Sequence, residues 1–229
     1  MSLIQSEPLR YERKFLITDY SQTDVAQLIK FHPACFTEIF HKRTINNIYF
    51  DTLGMTNYFD NVEGEKNRIK VRMRWYANLF GNIQSPTLEY KIKKGLLGNK
   101  VSYVLNPFVL DTDFDKNQIS QALDRDSIPL SVKEEVLSLK PTLLNSYIRS
   151  YYLSADKKFR ITIDHRLTYH KIAYSGNTFL NKKTDLKATV LELKYDSVHE
   201  EEAKEVGSAF PFMLTKNSKY LQGLESVFL

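Results

Sequence analysis

The stretch RIKVRMRW, residues 68–75, places Arg68, Lys70, Arg72 and Arg74 at every second position, with Ile69, Val71, Met73 and Trp75 between them. Alternation of period two is the mark of a β-strand, whose successive side chains point to opposite faces. One face of such a strand can be buried; the other then carries four like charges in a row. The same pattern returns along the chain. LRYERKFLI sets Arg10, Glu12 and Lys14 against Tyr11 and Phe15, with Arg13 on the apolar side. TLEYKIKK sets Glu89, Lys91 and Lys93 against Leu88, Tyr90 and Ile92. FRITID sets Arg160, Thr162 and Asp164 against Phe159, Ile161 and Ile163. VLELKY sets Glu192 and Lys194 against Leu191, Leu193 and Tyr195.

Further strands are predicted at 45–51, 100–105, 146–153 and 167–174. NLFGNIQSP and KKGLLGNK read as hairpin loops, so neighbouring strands are predicted to run mostly antiparallel. Helical periodicity predicts helices at 21–31 after a Ser or Thr cap, and at 115–125, 131–139, 198–209 and 217–227. Tyr147, Tyr151 and Tyr152 read as core aromatics, and Cys35 as a packing residue near a helix end.

A single charged strand face is ordinarily a solvated surface. Five sharing one pattern point elsewhere. Their charged faces, with Arg149, gather ten bases (Lys14, Arg68, Lys70, Arg72, Arg74, Lys91, Lys93, Arg149, Arg160, Lys194) and four acids (Glu12, Glu89, Asp164, Glu192). The predicted fold is α+β: an antiparallel β-barrel forming a basic tunnel, its apolar outer face covered by helices. Confined like charges repel by roughly several kcal/mol, so the tunnel calls for an anionic ligand with dense negative charge. A polyphosphate chain or nucleoside triphosphate fits, because Arg grips phosphate with a fork and Lys as a point charge. Carboxylates with substrate phosphates can then hold Mg2+ or Mn2+. Asp51 and Asp164 read as turn caps or ion-pair partners rather than metal ligands.

Composition agrees with this reading and removes others. The net charge of +5 suits an anionic partner, and 229 residues with 42% hydrophobic content suffice for one core, here read as a single domain over 1–229. One cysteine excludes an internal disulfide and a multi-cysteine zinc site. With no apolar run long enough for a bilayer and no apolar core in the opening MSLIQSEPLRYERKF, the expectation is a cytoplasmic protein with no membrane segment of its own. HEEEA at 199–203 lacks the second histidine of a zincin, and GLLGNK at 95–100 does not satisfy the P-loop pattern. A nucleic-acid binder would want an exposed groove with stacking aromatics, so no nucleic-acid partner is expected.

Eight segments in order, YERKF, NIYFDT, KVRMRWY, LEYKIKKG, SYIRSYY, FRITID, LELKY and TKNSKY, resemble the polyphosphate polymerase domain of the vacuolar transporter chaperone (VTC) proteins, in the triphosphate tunnel metalloenzyme superfamily. The resemblance implies a tunnel that binds ATP with Mn2+ or Mg2+ and transfers its terminal phosphoryl group to a growing polyphosphate chain. By the same resemblance Lys14, Arg72, Arg74, Lys91, Arg149, Arg160 and Lys219 (with Lys216 as the alternative to Lys219) match the catalytic bases. Lys70, Lys93, Lys194 and Lys216 are further substrate contacts. Glu192 looks like the metal-binding glutamate, with Glu12 and Glu89 as secondary ligands. Hydrolytic relatives open with Glu-x-Glu-x-Lys, whereas this chain reads Arg10-Tyr11-Glu12-Arg13-Lys14. The missing carboxylate favours transfer over hydrolysis. A triphosphate hydrolase and a non-catalytic polyphosphate or nucleotide sensor are the alternatives. The chain resembles the free-standing bacterial form.

Overall fold

The computed structural model describes residues 10–94 and 97–228. Its centre is a nine-stranded sheet, with every pairing antiparallel. The strands are β1 (Arg10–Ile17), β2 (Thr37–Asp51), β3 (Asn67–Tyr76), β5 (Thr87–Lys94), β6 (Leu97–Val104), β8 (Lys140–Leu153), β9 (Arg160–His170), β10 (Lys182–Asp185) and β11 (Thr189–Asp196). Their order is β10-β9-β11-β1-β6-β5-β3-β2-β8, and β8 pairs again with β9, so the sheet curls round on itself. Among the described residues β1 and β6 meet through one register pair, Arg10 with Gly98.

Helices cover the outer face because the apolar residues of each strand must be buried somewhere. Val71, Met73 and Trp75 of β3 and Leu88 and Tyr90 of β5 pack under α3 (Lys116–Leu123) and α4 (Leu130–Ser138). A small second sheet, β4 (Gly81–Ile83) with β7 (Phe108–Leu110), joins that core. On the opposite side Phe15, Ile161, Ile163, Leu191 and Leu193 pack against α1 (Gln22–Lys30) and α5 (Glu200–Ser208). Ser21 starts α1 with a capping box to Asp24, satisfying donors that the first turn leaves open. Arg13, on this outer face, donates to Tyr195 Oη at 2.9 Å and Glu200 Oε1 at 2.7 Å, so its charge is paired at the surface.

The five predicted helices are present, and the structure adds α2 (Thr56–Glu63). Asp51 caps α2: Oδ1 accepts from Asn57 N and Oδ2 from Tyr58 N, at 2.9 and 3.0 Å. Three strand expectations need correction. β2 starts eight residues before 45, and β8 six before 146. The predicted strand at 167–174 is cut short: 167–170 are the end of β9, continuous through a kink at Arg166, whose φ is +54°, and 171–174 lie outside any strand. β4 occupies part of the predicted hairpin loop before Thr87, and the tip of the other, Gly95 and Leu96, lies outside the described residues.

The kink matters to the interior. Strict alternation from Asp164 would aim Arg166 and Thr168 inward; the extra residue hands that face to Leu167 and Tyr169 instead. These two pack against Tyr220 and Leu224 of the last helix, α6 (Lys219–Phe228), together with Ile45, Tyr49, Leu143 and Tyr147. Gly223 permits the close approach, since a Cβ there would stand 2.4 Å from Leu143 Cδ2 and 2.6 Å from Tyr169 Cδ1.

Candidate functional site

The inner faces of the curled sheet enclose a cavity of roughly 420 Å³. Eleven Lys or Arg side chains line it against two carboxylates, Glu12 and Glu192, so its wall is cationic. Of the bases expected from the sequence, Lys14, Lys70, Arg72, Arg74, Lys91, Arg149, Arg160, Lys194 and Lys219 all line it. Arg68, Lys93 and Lys216 do not: Arg68 and Lys93 stand opposite one another beyond the Lys70–Lys91 pair, and Lys216 is exposed before α6. Two bases came without a sequence signal of their own. Arg43 lies outside the strand predicted at 45–51, and Lys100 opens a strand whose charged face was not evident; its register opposite Lys91 brings it in.

Three ionic groups organise the wall. Glu89, opposite Arg72 in register, accepts from Arg72 Nη2 at 2.6 Å and lies 3.5 Å from Arg74 and 3.4 Å from Lys100. Burial alone would raise the Glu89 carboxyl, but the arginines outweigh it and hold it well below the usual carboxylate range. Arg74 is further fixed by Asn47 Oδ1 at 2.8 Å and Tyr147 Oη at 3.1 Å. Asn47 in turn donates to Asn145 Oδ1 at 2.8 Å. Tyr151 lines the cavity, contrary to the core expectation; Tyr147 is buried in a core cluster as expected and also reaches the cavity, and Tyr152 packs in the outer core as expected.

The second group joins Arg149, Lys219, Asp164 and Glu192. Arg149 Nε and Nη2 meet Asp164 at 2.5 and 2.6 Å, and Lys219 Nζ reaches Asp164 at 2.6 Å and Glu192 at 3.2 Å. Glu192 is also 3.3 Å from Lys194 and from Arg149 and 3.8 Å from Lys14. Against the opposing effect of burial, Lys219 first and then Lys194 and Arg149 hold the Glu192 carboxyl far below its ordinary value.

The third group surrounds Glu12. Its Oε2 accepts from Lys91 Nζ at 3.1 Å, while Oε1, 3.9 Å from both Lys14 and Lys194, is buried with no hydrogen-bond donor. Burial would raise this carboxyl; Lys91, then Lys14 and Lys194, outweigh it and bring it to about 2. Lys91 has the attraction of Glu12, but burial and the repulsion of Lys14 and Lys194 prevail and push it down to about 8. Although enclosed by the wall, its side chain is 43% exposed to the lumen. Lys70 is opposite Lys91, and Lys91 opposite Lys100, so three lysines stand in register across β3, β5 and β6. Among the described residues Lys70 has no carboxylate within ion-pair distance; its Nζ donates to Ser218 Oγ at 2.9 Å. Burial first, then Lys14 and Lys91, lowers the Lys70 ammonium well below its usual value.

A curled antiparallel sheet with helices outside and a cationic lumen defines the class by its fold: a β-tunnel with a wall suited to an anionic ligand. Solved structures share the fold, two of them over nearly their whole length. One is the PH1819 protein from Pyrococcus horikoshii OT3, with TM-score 0.52, 13% identity, and coverage of 95% of this chain and 99% of that one. The other is a candidate adenylate cyclase from Vibrio parahaemolyticus, with TM-score 0.51, 11% identity, and coverage of 94% and 98%. No curated protein matches the sequence. The VTC domain family model matches residues 9–228, and the chain belongs to that family. Among the described residues no helix is long and apolar enough to cross a membrane.

The superfamily implies a divalent metal. Among the described residues, no three His, Cys, Asp or Glu side chains come together to hold one unaided. The donor set nonetheless fits a metal completed by phosphate oxygens. Glu12 Oε1 is an orphaned buried acceptor, and Glu192 is close enough to oppose Glu12 ionisation. Glu89 is engaged by three cations and contributes less readily.

Proposed function

We propose that the tunnel binds ATP and transfers its terminal phosphoryl group to a growing polyphosphate chain, as a cytoplasmic single-domain enzyme. The observation that carries this reading is the in-register row of Lys70, Lys91 and Lys100 facing a lumen with eleven bases. Like charges directly opposite on neighbouring strands are destabilising, so the arrangement is matched to a ligand with several adjacent negative charges. A volume of roughly 420 Å³ suits a triphosphate.

In this reading Arg72, Arg74, Lys91 and Arg160 hold the ATP phosphates, with Lys70 and Lys194 beside them. Lys14 and Arg149 orient the acceptor phosphate, and Lys219 neutralises charge between the two. Glu192, with Glu12, would hold the divalent ion; when bound, Mn2+ or Mg2+ neutralises charge on the phosphate oxygens. Phosphoryl transfer needs in-line positioning and charge neutralisation more than covalent help from the protein. The acceptor phosphate is already ionised, so no general base is required. Glu89 acts by fixing Arg72 and Arg74, an indirect role that its three ion pairs support.

The test is incubation of the purified chain with ATP and Mn2+, removal of the metal by chelation, and phosphorus NMR of the products. Interior polyphosphate resonances that disappear in Arg74→Ala are expected. Orthophosphate alone would replace this reading with a hydrolase, and binding without turnover with a sensor.

A further inference from the structure

Phe40, Arg43, Tyr76 and Tyr151 form an aromatic collar at one edge of the cavity, and all four line it. The Arg43 guanidinium carbon lies 5.0 Å from the Phe40 ring centre, 5.7 Å from Tyr151 and 5.9 Å from Tyr76. Phe40 meets Tyr151 edge to face at 5.7 Å. Phe40 is 47% exposed and Tyr76 49%, so apolar ring surface is open to solvent beside the charged wall.

Two features set the collar apart from a chance surface cluster. Phe40 and Arg43 are three residues apart, a spacing that sends side chains to opposite faces of a regular strand. Register shifts between Glu38 and Phe40 and between Phe40 and Arg43 bring both to the cavity. Irregularities of this kind re-aim side chains next to functional sites. Arg43 also differs from Arg72, Arg74 and Arg149, which are held by Glu89, Asp164 and Glu192. Among the described residues no carboxylate lies within ion-pair distance of Arg43, and the rings hold it with its N–H donors open.

Arg43 is opposite Arg149, while Tyr76 and Tyr151 each follow a cavity arginine by two residues, about 7 Å along a strand. That is the reach from a bound phosphate to the base of the same nucleotide. We propose that the collar is a nucleobase subsite: the base stacks on Phe40 and Tyr76, and Arg43 donates to its ring-nitrogen or carbonyl acceptors. A purine, with its larger face and its N7 acceptor, is the preferred occupant. The inference rests on the triphosphate reading and adds to it a reason for choosing a nucleotide over a bare phosphate chain.

Calorimetric titration of the full chain in EDTA, where no turnover occurs, separates the two ideas. ATP, CTP and inorganic tripolyphosphate are the probes. Phe40→Ala is expected to weaken ATP about tenfold, as loss of one base–aromatic stack does, and to leave tripolyphosphate within about twofold. Phe40→Trp should keep the ATP affinity, and the wild type should prefer ATP to CTP. Unchanged tripolyphosphate affinity also certifies that the variants are folded. If Phe40→Ala and Tyr76→Ala leave ATP binding unchanged, or weaken both ligands equally, the base subsite is wrong while the phosphate tunnel stands. If the wild type binds neither ligand, both readings fall.

Discussion

Arg149 and Asp164 stand opposite one another on β8 and β9, joined by two parallel hydrogen bonds of 2.5 and 2.6 Å. Asp164 also takes Lys219 at 2.6 Å, so one buried carboxylate compensates two buried cations. Removing one partner of a buried ionic group is costly because the remaining charge has lost its solvent and its counter-ion. Asp164→Asn should destabilise the fold by about 3–5 kcal/mol, measured by denaturant unfolding. A change below about 1 kcal/mol would mean that Glu192 alone compensates both cations.

Glu192 is expected to separate turnover from binding. Glu192→Gln removes a negative charge from the phosphate path and the main proposed holder of the metal. Metal-dependent turnover should fall at least about a hundredfold, while affinity for tripolyphosphate in EDTA rises. Full activity in the variant would remove Glu192 from the metal assignment.

Phosphate binding should weaken as pH rises through about 8, where Lys91 gives up its proton. Anionic phosphates favour the protonated ammonium, so binding takes up a proton above that pH. The groups facing Lys91 are Glu12, Lys14, Glu192 and Lys194, and Lys70 is shifted in the same direction. Tripolyphosphate affinity measured from pH 7 to 9.5 should decline by up to about tenfold per unit for each titrating group, and Lys91→Arg should flatten the curve. The unliganded fold has the opposite slope. The folded value near 8 lies below the ordinary 10.5, so the unfolded chain holds more protons between them and stability rises with pH across that window.

Gly223→Ala should act on the site from a distance. The added methyl group meets Leu143 and Tyr169, both buried, and the docking of α6 must give way. A loss of about 1–3 kcal/mol is expected from overpacking, visible in thermal unfolding. Because α6 carries Lys219 to Asp164 and Glu192, turnover should fall as well. An unchanged melting temperature would show that α6 can shift without penalty.

Much of this was legible in the chain. Strict alternation in RIKVRMRW assigned Arg72 and Arg74 to one face and Val71 and Met73 to the other, because a strand's two-residue period is a local property. A Ser or Thr cap likewise placed the start of α1, and the structure supplies it as Ser21 with Asp24, a capping box complete within four residues. Other parts were decided by contacts between distant segments. The shifts in β2 bring Arg43 and Phe40 to the cavity, and the left-handed turn at Arg166 gives the interior to Leu167 and Tyr169. Pairing partners impose both, and neither has a local signature. The same holds for Tyr147, whose apolar ring and hydroxyl serve core and cavity together, and for Cys35, expected in packing but exposed on the turn after α1. Lys14 meets Glu192 only through the pairing of β1 with β11, from opposite ends of the chain, and Lys219 joins them only when α6 docks. Alternation determined which residues share a face; the curl of the sheet decided which faces meet, because register and closure depend on hydrogen bonds between strands far apart in sequence.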